Sequence, residues 1–201
     1  MPESAEEVYA RVIGQVGEHG RLPMPPSSQW DVFPYEGEMA PKVLQPPVEA
    51  EQPRSGEGDR PCWCETGEPA STIWRNERWI VASPDAPGGL PLILVLQPRE
   101  HLDLSDLDDD RASELGRLTV RLHRIMAHLP NIGRVHVNKW GDGGAHLHVV
   151  LVARTARLPQ VLGSMAIEWD DILPPGPVDV WRRDLAYVAS RLATHDGEAL
   201  V

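Results

Sequence analysis

The sequence lacks long hydrophobic runs, and even its apolar stretch from Leu92 to Leu96 is only five residues long. A membrane-spanning helix needs about 20 consecutive apolar residues. The N-terminal residues Met-Pro-Glu-Ser-Ala-Glu-Glu also lack the basic start and the apolar segment of a signal peptide. The sequence therefore predicts a cytoplasmic protein that has no membrane partner.

Basic residues are scarce, with 19 Lys and Arg against 30 Asp and Glu and a net charge of −11. A surface with this balance repels phosphate backbones, so nucleic acid is disfavoured as a partner. A local pocket can still hold a small anionic ligand.

Cysteine is almost absent, and the two that occur, Cys62 and Cys64, lie in the motif Pro-Cys-Trp-Cys. A disulfide across one intervening residue would be strained, and a reducing cytoplasm favours free thiolates. Two thiolates so close together indicate a shared metal ion whose other ligands come from elsewhere in the chain.

The chain of 201 residues is long enough for one substantial core. Residues 1–60 are predicted to form an N-terminal helix and a proline-rich extended arm, and residues 49–60 are predicted to be mobile. Ser4 and Glu7 fit a capping box at the start of that helix. Residues 61–201 are predicted to form the main domain.

Residues 61–201 contain local patterns of both strands and helices. A hairpin is expected within residues 71–82, a buried strand over 90–97 and a helix from Asp108 to about Pro130. Further short strands are expected over 134–138 and 164–169. Apolar residues at helical spacing mark a C-terminal helix, namely Trp181, Leu185, Val188 and Leu192.

The stretch with the strongest functional pattern is a glycine turn followed by His146, Leu147 and His148. On a strand, both histidines would project from one face and Leu147 from the other. A lone strand histidine is usually a half-buried structural residue. The pairing and the adjacent glycines favour a functional role instead.

The order of motifs resembles the histidine triad (HIT) superfamily over about residues 61–155. It comprises a cysteine pair, a hairpin, a Ser-Pro-x-Ala-Pro loop, a strand ending in Pro-x-x-His, a helix, a Val-x-Val-Asn strand, a glycine turn and His-x-His. The resemblance extends to zinc-containing members and to the galactose-phosphate uridylyltransferase branch. It implies an α+β fold in which an antiparallel sheet carries helices, a homodimer, and a nucleotide or nucleoside phosphate derivative as the small-molecule partner.

The same resemblance implies a structural zinc ion bound by Cys62, Cys64, His101 and His146. The family pair of cysteines is usually separated by two residues, whereas here Trp63 alone intervenes.

The family pattern has three alternating histidines, of which the middle one attacks the α-phosphorus, and three registers are open here. In the first, His148 is the nucleophile and Val150 takes the third position, where the uridylyltransferase branch has glutamine. In the second, His146 attacks and His148 is the third histidine. In the third, Val150 replaces the nucleophile and catalysis is lost. The zinc set favours the first register.

The resemblance further implies a set of substrate-binding residues around the glycine turn. Asn138 would contact phosphate or ribose, although a turn-capping role explains it equally well. Gly143 and Gly144 would let the backbone approach the ligand closely. Lys139 and Arg154 would offset phosphate charge, unless they are ordinary exposed cations.

The function predicted from the sequence is a nucleotidyl hydrolase or transferase that acts through a covalent histidine–nucleotidyl intermediate on His148, next to His146. The alternative is a non-catalytic, zinc-stapled module that binds a nucleotide or a protein. A third possibility is that aromatic residues of the arm reshape the pocket for another substrate; these are Trp30, Phe33 and Tyr35.

Overall fold

The structure is a computed structural model that describes residues 3–201. The chain forms two compact units, Met1–Gln52 and Pro53–Val201. Residues 53–60, which the sequence assigned to the arm, thus belong by their contacts to the second unit. Within residues 3–201, no helix combines the length and the apolar character needed to cross a bilayer.

The first unit begins with helix α1, Ala5–Ile13. The Ser4 hydroxyl accepts a hydrogen bond from the Glu7 amide, and the Glu7 carboxylate accepts one from the Ser4 amide at 2.7 Å. The predicted helix and its capping box are therefore confirmed. Beyond it, the unit contains two short 3₁₀ turns, Glu18–Gly20 and Pro26–Gln29, and otherwise irregular chain.

The second unit is built on one antiparallel sheet of six strands in the order β4-β5-β3-β2-β1-β6. Three helices complete it, namely α2 (Asp109–Ala127), α3 (Ala166–Ile172) and α4 (Val178–Ala193). The predicted α+β class is confirmed, with a helix after the Pro-x-x-His strand and a helix near the C-terminus. The strands are β1 Thr72–Arg75, β2 Trp79–Ala82, β3 Leu92–Pro98, β4 Ile132–Asn138, β5 Val149–Thr155 and β6 Glu198–Ala199.

The predicted hairpin of β1 and β2 forms around Asn76. Its side-chain carbonyl accepts hydrogen bonds from the amides of Arg78 and Trp79, at 2.9 and 2.7 Å. This local pairing mimics a backbone turn and explains why the two strands reverse there.

The main core lies between the sheet and helices α2 and α4. Strand β5 contributes Val149, Leu151 and Ala153 to this cluster. Burying each large aliphatic side chain contributes about 1.5 to 3 kcal/mol, so this face supplies most of the stabilisation. The buried helix residues in it are Leu118, Leu122, Met126, Leu185, Val188, Ala189 and Leu192.

The opposite face of the sheet carries a smaller apolar cluster around Val152, with Val161 and Ala166 covering it. Val150 is a partly buried neighbour in the same cluster. Because Val150 and Val152 alternate with the main-core residues of β5, the two faces of this strand serve different environments.

The short strand predicted over residues 164–169 is wrong, because the chain there forms a 3₁₀ turn, Gly163–Met165, followed by α3. Ala166, Trp169 and Leu173 recur at helical spacing and pack in the smaller cluster. The Asp170 carboxylate also accepts a hydrogen bond from the Leu90 amide at 2.7 Å. These contacts outweigh the strand propensity of the stretch. Strand β6 was not predicted.

Candidate functional site

His146, Leu147 and His148 precede strand β5, which begins at Val149. The expectation that both histidines lie on the strand is therefore wrong. The reason is that the Leu147 amide donates to the Leu102 carbonyl at 2.7 Å, in the loop after β3, instead of joining the sheet ladder. Leu147 is fully buried in the main core, and this anchors the segment that carries both histidines.

Four predicted metal ligands come together around this segment, namely Cys62, Cys64, His101 and His146. One ligand atom from each lies within 4.8 Å of the others. The Cys62 Sγ to His146 Nδ1 distance is 3.3 Å, and the Cys64 Sγ to His101 Nδ1 distance is 3.7 Å. A tetrahedral zinc ion with ordinary bond lengths separates its ligand atoms by about 3.3 to 3.8 Å. The donor set and its spacing thus fit zinc.

A 3₁₀ turn, Trp63–Glu65, brings the two cysteine sulfurs to one site although a single residue separates them. The Cys62 amide donates to the Glu65 carboxylate at 3.0 Å, which caps the turn. The tight spacing that departs from the family pattern is therefore accommodated by local backbone geometry.

The hydrogen bonds of His146 select the ring tautomer that a metal ligand needs. Its Nε2 lies 2.8 Å from the Pro98 carbonyl oxygen, which can only accept, so Nε2 carries the proton. The Nδ1 lone pair consequently faces Cys62. Burial lowers the pKa of His146, which keeps the ring neutral. The Trp63 ring packs against it with a centroid distance of 4.5 Å.

The two cysteine sulfurs create an environment that favours a cation. Burial, together with the neighbouring Cys62 sulfur, raises the pKa of the Cys64 thiol to about 11. Two adjacent thiolates are stable only when a positive charge compensates them, and a divalent metal ion supplies that charge.

Residues 53–60, here called the strap, pack against this cluster at Gly56, which faces His101 and Cys62. Its φ of +88° is in the left-handed region, and a Cβ there would lie 2.5 Å from His101 Cε1 and 3.4 Å from Cys62 Cβ. Only glycine fits this position. A single glycine in a polar stretch carries no sequence signal of such a role, so Gly56 was missed.

The strap also holds the glycine turn. The Ser55 amide donates to the Gly143 carbonyl at 3.1 Å, and the Ala145 amide donates to the Ser55 carbonyl at 2.9 Å. Arg54 Nη1 donates to the Gly141 carbonyl at 3.0 Å. Part of the segment that was predicted to be mobile thus forms hydrogen bonds to the glycine turn.

Lys139 is paired with a carboxylate. Its Nζ lies 3.3 Å from Asp103 Oδ1, while Arg54 Nη1 lies 2.9 Å from Asp103 Oδ2. Burial acts to raise the pKa of Asp103, but the Leu104 amide, Arg54 and Lys139 outweigh it and lower the pKa overall. Asp103 is therefore ionised at neutral pH and already balances the charge of Lys139.

His148 is half-buried and has one nitrogen engaged. Its Nδ1 lies 2.8 Å from the backbone carbonyl oxygen of His146, so Nδ1 carries the proton and donates. Within residues 3–201, its Nε2 forms no hydrogen bond, and its lone pair is available. Gly144 lies beside the ring, since a Cβ built there would be 3.9 Å from His148 Cε1, and Gly143 borders open space.

The remaining predicted binding residues lie on strands β4 and β5. Asn138 pairs with Val150, two residues beyond His148, and both lie at the end of the sheet nearest the glycine turn. Arg154 is six residues beyond His148, which corresponds to roughly 20 Å along a strand. The structure thus brings Gly144 to His148 and leaves Arg154 at the far end of β5.

The fold and the four-residue cluster together define an α+β protein with a candidate metal centre next to a half-buried histidine. No protein-family model and no curated protein matches the sequence. Solved structures to which this chain is similar include histidine triad proteins.

Three of these structures are representative. A zinc-bound histidine triad family protein from Mycobacterium smegmatis has 15% identity and a TM-score of 0.47, with 67% of this chain and 94% of that chain covered. A histidine triad protein from Marinobacter aquaeolei VT8 has 16% identity and a TM-score of 0.49, with 62% of this chain and 91% of that chain covered. A hypothetical histidine triad nucleotide-binding protein from Sulfolobus tokodaii has 14% identity and a TM-score of 0.42, with 62% of this chain and 84% of that chain covered.

Proposed function

We propose that this protein is a nucleotidyl hydrolase or transferase that acts on a nucleoside phosphate derivative through a covalent adduct on His148. One observation carries the proposal. The hydrogen bond of 2.8 Å from His148 Nδ1 to the His146 carbonyl oxygen leaves Nε2, with its free lone pair, as the reactive atom. Neutral imidazole is a good nucleophile near pH 7, which suits this chemistry.

In the first step, His148 Nε2 attacks the α-phosphorus. The bond from phosphorus to the leaving oxygen breaks, and that oxygen departs with the electron pair and takes a proton from solvent. The resulting phosphoramidate has a positively charged ring, which the His146 carbonyl stabilises through Nδ1–H. Water or an acceptor hydroxyl then attacks phosphorus, Nε2 regains its electron pair, and the acceptor proton passes to solvent.

Cys62, Cys64, His101 and His146 would hold a zinc ion in this proposal. A closed set of four protein ligands gives zinc a structural role, in which it ties together segments that are distant in sequence. His146 links this centre to the reaction, since its side chain would bind the metal and its backbone carbonyl orients His148.

The contacts of His146 support the first of the three registers. Its Nε2 bonds Pro98, and its Nδ1 faces Cys62, so neither nitrogen is available for attack. The second register, with His146 as nucleophile, requires one of these contacts to break. The third register requires Val150 to stand where the nucleophile acts, and then no covalent step is expected.

Gly143, Gly144 and Asn138 are proposed to contact the phosphate or ribose. Gly144 borders the His148 ring, and Gly143 faces open space. Lys139 would act through the local field, because Asp103 already neutralises it. Arg154 would contact a part of the substrate remote from the attacked phosphorus.

A second candidate function is a non-catalytic module that binds a nucleotide or a protein. Val150 favours it, since its side chain offers no hydrogen bond in the third motif position. The Ala145 amide favours it as well, because it already donates a hydrogen bond to the Ser55 carbonyl at 2.9 Å, which removes one donor from the glycine turn. Tight nucleotide binding without turnover, unchanged in His148→Ala, would support this candidate.

The test of the leading proposal is trapping of a nucleotidyl-protein with a panel of nucleoside phosphate derivatives, followed by mass spectrometry. An adduct that forms in the wild type, vanishes in His148→Ala and persists in His123→Ala supports it. His123 is an exposed residue of α2 and serves as the matched control. Folded wild-type protein that forms no adduct and turns over none of the panel would contradict it. The proposal also includes a homodimer, which a measurement of molecular mass in solution can check.

A further inference from the structure

Strands β4 and β5 carry a row of polar side chains on the face of the sheet opposite the main core. Arg134, His136 and Asn138 alternate along β4, so their side chains share one face. Antiparallel pairing sets Asn138 opposite Val150, His136 opposite Val152 and Arg134 opposite Arg154. Val150 and Val152 belong to the smaller apolar cluster, which identifies the face.

Three atoms of this row are buried and lack partners. Within residues 3–201, His136 Nε2, Asn138 Nδ2 and Arg154 Nε form no hydrogen bond. The latter two are obligatory donors, and the imidazole nitrogen can be one. Buried polar atoms are nearly always satisfied, so three on one face of two adjacent strands indicate a missing acceptor.

The row is also positively charged without compensation. Arg134 and Arg154 are cross-strand partners, and like charges in that arrangement repel each other. Among the residues that the structure describes, no carboxylate forms an ion pair with either guanidinium. Their Nη1 atoms instead donate to backbone carbonyls, Arg134 to Gly133 at 2.7 Å and Arg154 to Thr155 at 3.2 Å.

His136 fits a donor role in this environment. Burial, assisted by the charge of Arg154, lowers its pKa, so its ring is neutral at physiological pH. A neutral imidazole carries one N–H that can point into the row. A water molecule could accept from these donors, but it would leave the opposed guanidinium charges uncompensated, whereas an oxyanion provides both acceptors and charge.

We propose that Arg134, His136 and Arg154 form an oxyanion subsite that holds a phosphate or carboxylate group, whereas Asn138, about 13 Å from Arg134 along β4, lies at the end of the row nearer His148. The row starts beside Val150, two residues past His148, and ends at Arg154, roughly 20 Å along the strand from that histidine. The anion is therefore distinct from the phosphorus that His148 would attack. The assignment of the anion to the substrate rests on the proposed function and predicts a substrate with a second, remote anionic group. Anion binding itself does not depend on that function.

Inorganic phosphate is the probe, titrated calorimetrically into the full chain. Arg134→Met and Arg154→Met are each expected to weaken binding about tenfold or more, because each removes a charged hydrogen-bond donor. Arg117→Met is the matched control. Arg117 is an exposed residue of α2, which packs on the other face of the sheet, and its loss should leave phosphate binding unchanged. Since Arg134 is exposed, its variant is expected to fold even if Arg154→Met does not.

The His148→Ala variant separates this inference from the proposed function. It should bind phosphate like the wild type, because the subsite lies along β4 and away from the nucleophile. If phosphate protects His136 and Arg134 from chemical modification and also competes with substrates that bear two anionic groups, the anion is part of the substrate. If phosphate protects these residues but does not compete with such substrates, the subsite takes a free anion. Absence of saturable phosphate binding in folded wild-type protein, or equal binding in Arg134→Met, would overturn the subsite.

Discussion

Gly56 lies directly against the ring of His101, where a Cβ would come within 2.5 Å of His101 Cε1. We expect Gly56→Ala to displace that ring and to weaken metal binding, with an added backbone cost of about 1 to 2 kcal/mol from the left-handed φ. Metal content by mass spectrometry and the unfolding midpoint are the measurements.

Gly58 provides the control for this change, since it is in the same strap. Its φ is also positive, at +57°, but a Cβ there meets nothing within 4 Å. Gly58→Ala should therefore show only the backbone cost and keep the metal. Equal metal content in both alanine variants would refute the role assigned to Gly56.

Removal of the metal is expected to destabilise the protein. The wild type should contain about one zinc ion per chain, and Cys62→Ser or a strong chelator should remove it. Since the four ligands join distant segments, the expected loss is at least about 3 kcal/mol, or roughly 10 °C in the unfolding midpoint. His195→Ala, away from the cluster, is the control. A metal-free wild type with an unchanged midpoint after chelation would rule out the site.

Asp103 is expected to make stability depend on pH in the acidic range. Its folded pKa is lowered below the unfolded value, so its contribution is fully present above pH 4, near the unfolded pKa, and is lost as the pH falls through the folded pKa. Asp103→Asn should cost about 1 to 2 kcal/mol at pH 7 and progressively less in acid. Denaturant unfolding across the pH range measures the difference.

Asp142 is a suitable comparison for that experiment because it is an exposed carboxylate of the glycine turn, whose Gly141 carbonyl accepts from the same Arg54 that pairs with Asp103. Asp142→Asn should leave the free energy of unfolding unchanged within about 0.5 kcal/mol. If the Asp103→Asn difference stayed constant from pH 7 down to pH 2, the ion pairs with Arg54 and Lys139 would not be its cause.

Val150→Gln tests the register of the histidines. In the first register it supplies a hydrogen-bonding group at the third motif position, and turnover should rise about tenfold, as expected for one added donor to the transition state. Val137→Gln is the control, because Val137 is 44% exposed on the other face of neighbouring β4. Single-turnover kinetics measure the change. A Val150→Gln variant that folds and binds nucleotide with no gain in turnover would count against this register.

Local patterns were sufficient to predict α1, the hairpin at Asn76, α2 and α4. Caps and turns depend on residues close in sequence, such as Ser4 with Glu7 or Asn76 with Trp79, and apolar periodicity marks the buried face of a helix. The resemblance to a family, read from motif order, named Cys62, Cys64, His101 and His146 as one set, and the structure brings them together. Their proposed role as zinc ligands remains to be measured.

Strand propensity failed for α3, because Asp170 and Trp169 make contacts that no local pattern contains. The same limit applies to the strap. Arg54 lies 87 residues from Gly141 in sequence, and only folding brings the two within 3.0 Å. Lys139 was predicted to meet phosphate, and nothing in its neighbours along the chain indicates that Asp103 balances its charge.

The sequence by itself determined the α+β class, most of the elements, and which cysteines and histidines to consider together, because periodicity, capping and motif order are written along the chain. Only the tertiary structure decided how the two histidines differ. Long-range bonds to Pro98 and Leu102 turn the His146 side chain toward the cysteines, and the His146 carbonyl leaves His148 with one free nitrogen. Such contacts depend on segments remote in sequence that meet only in the folded protein.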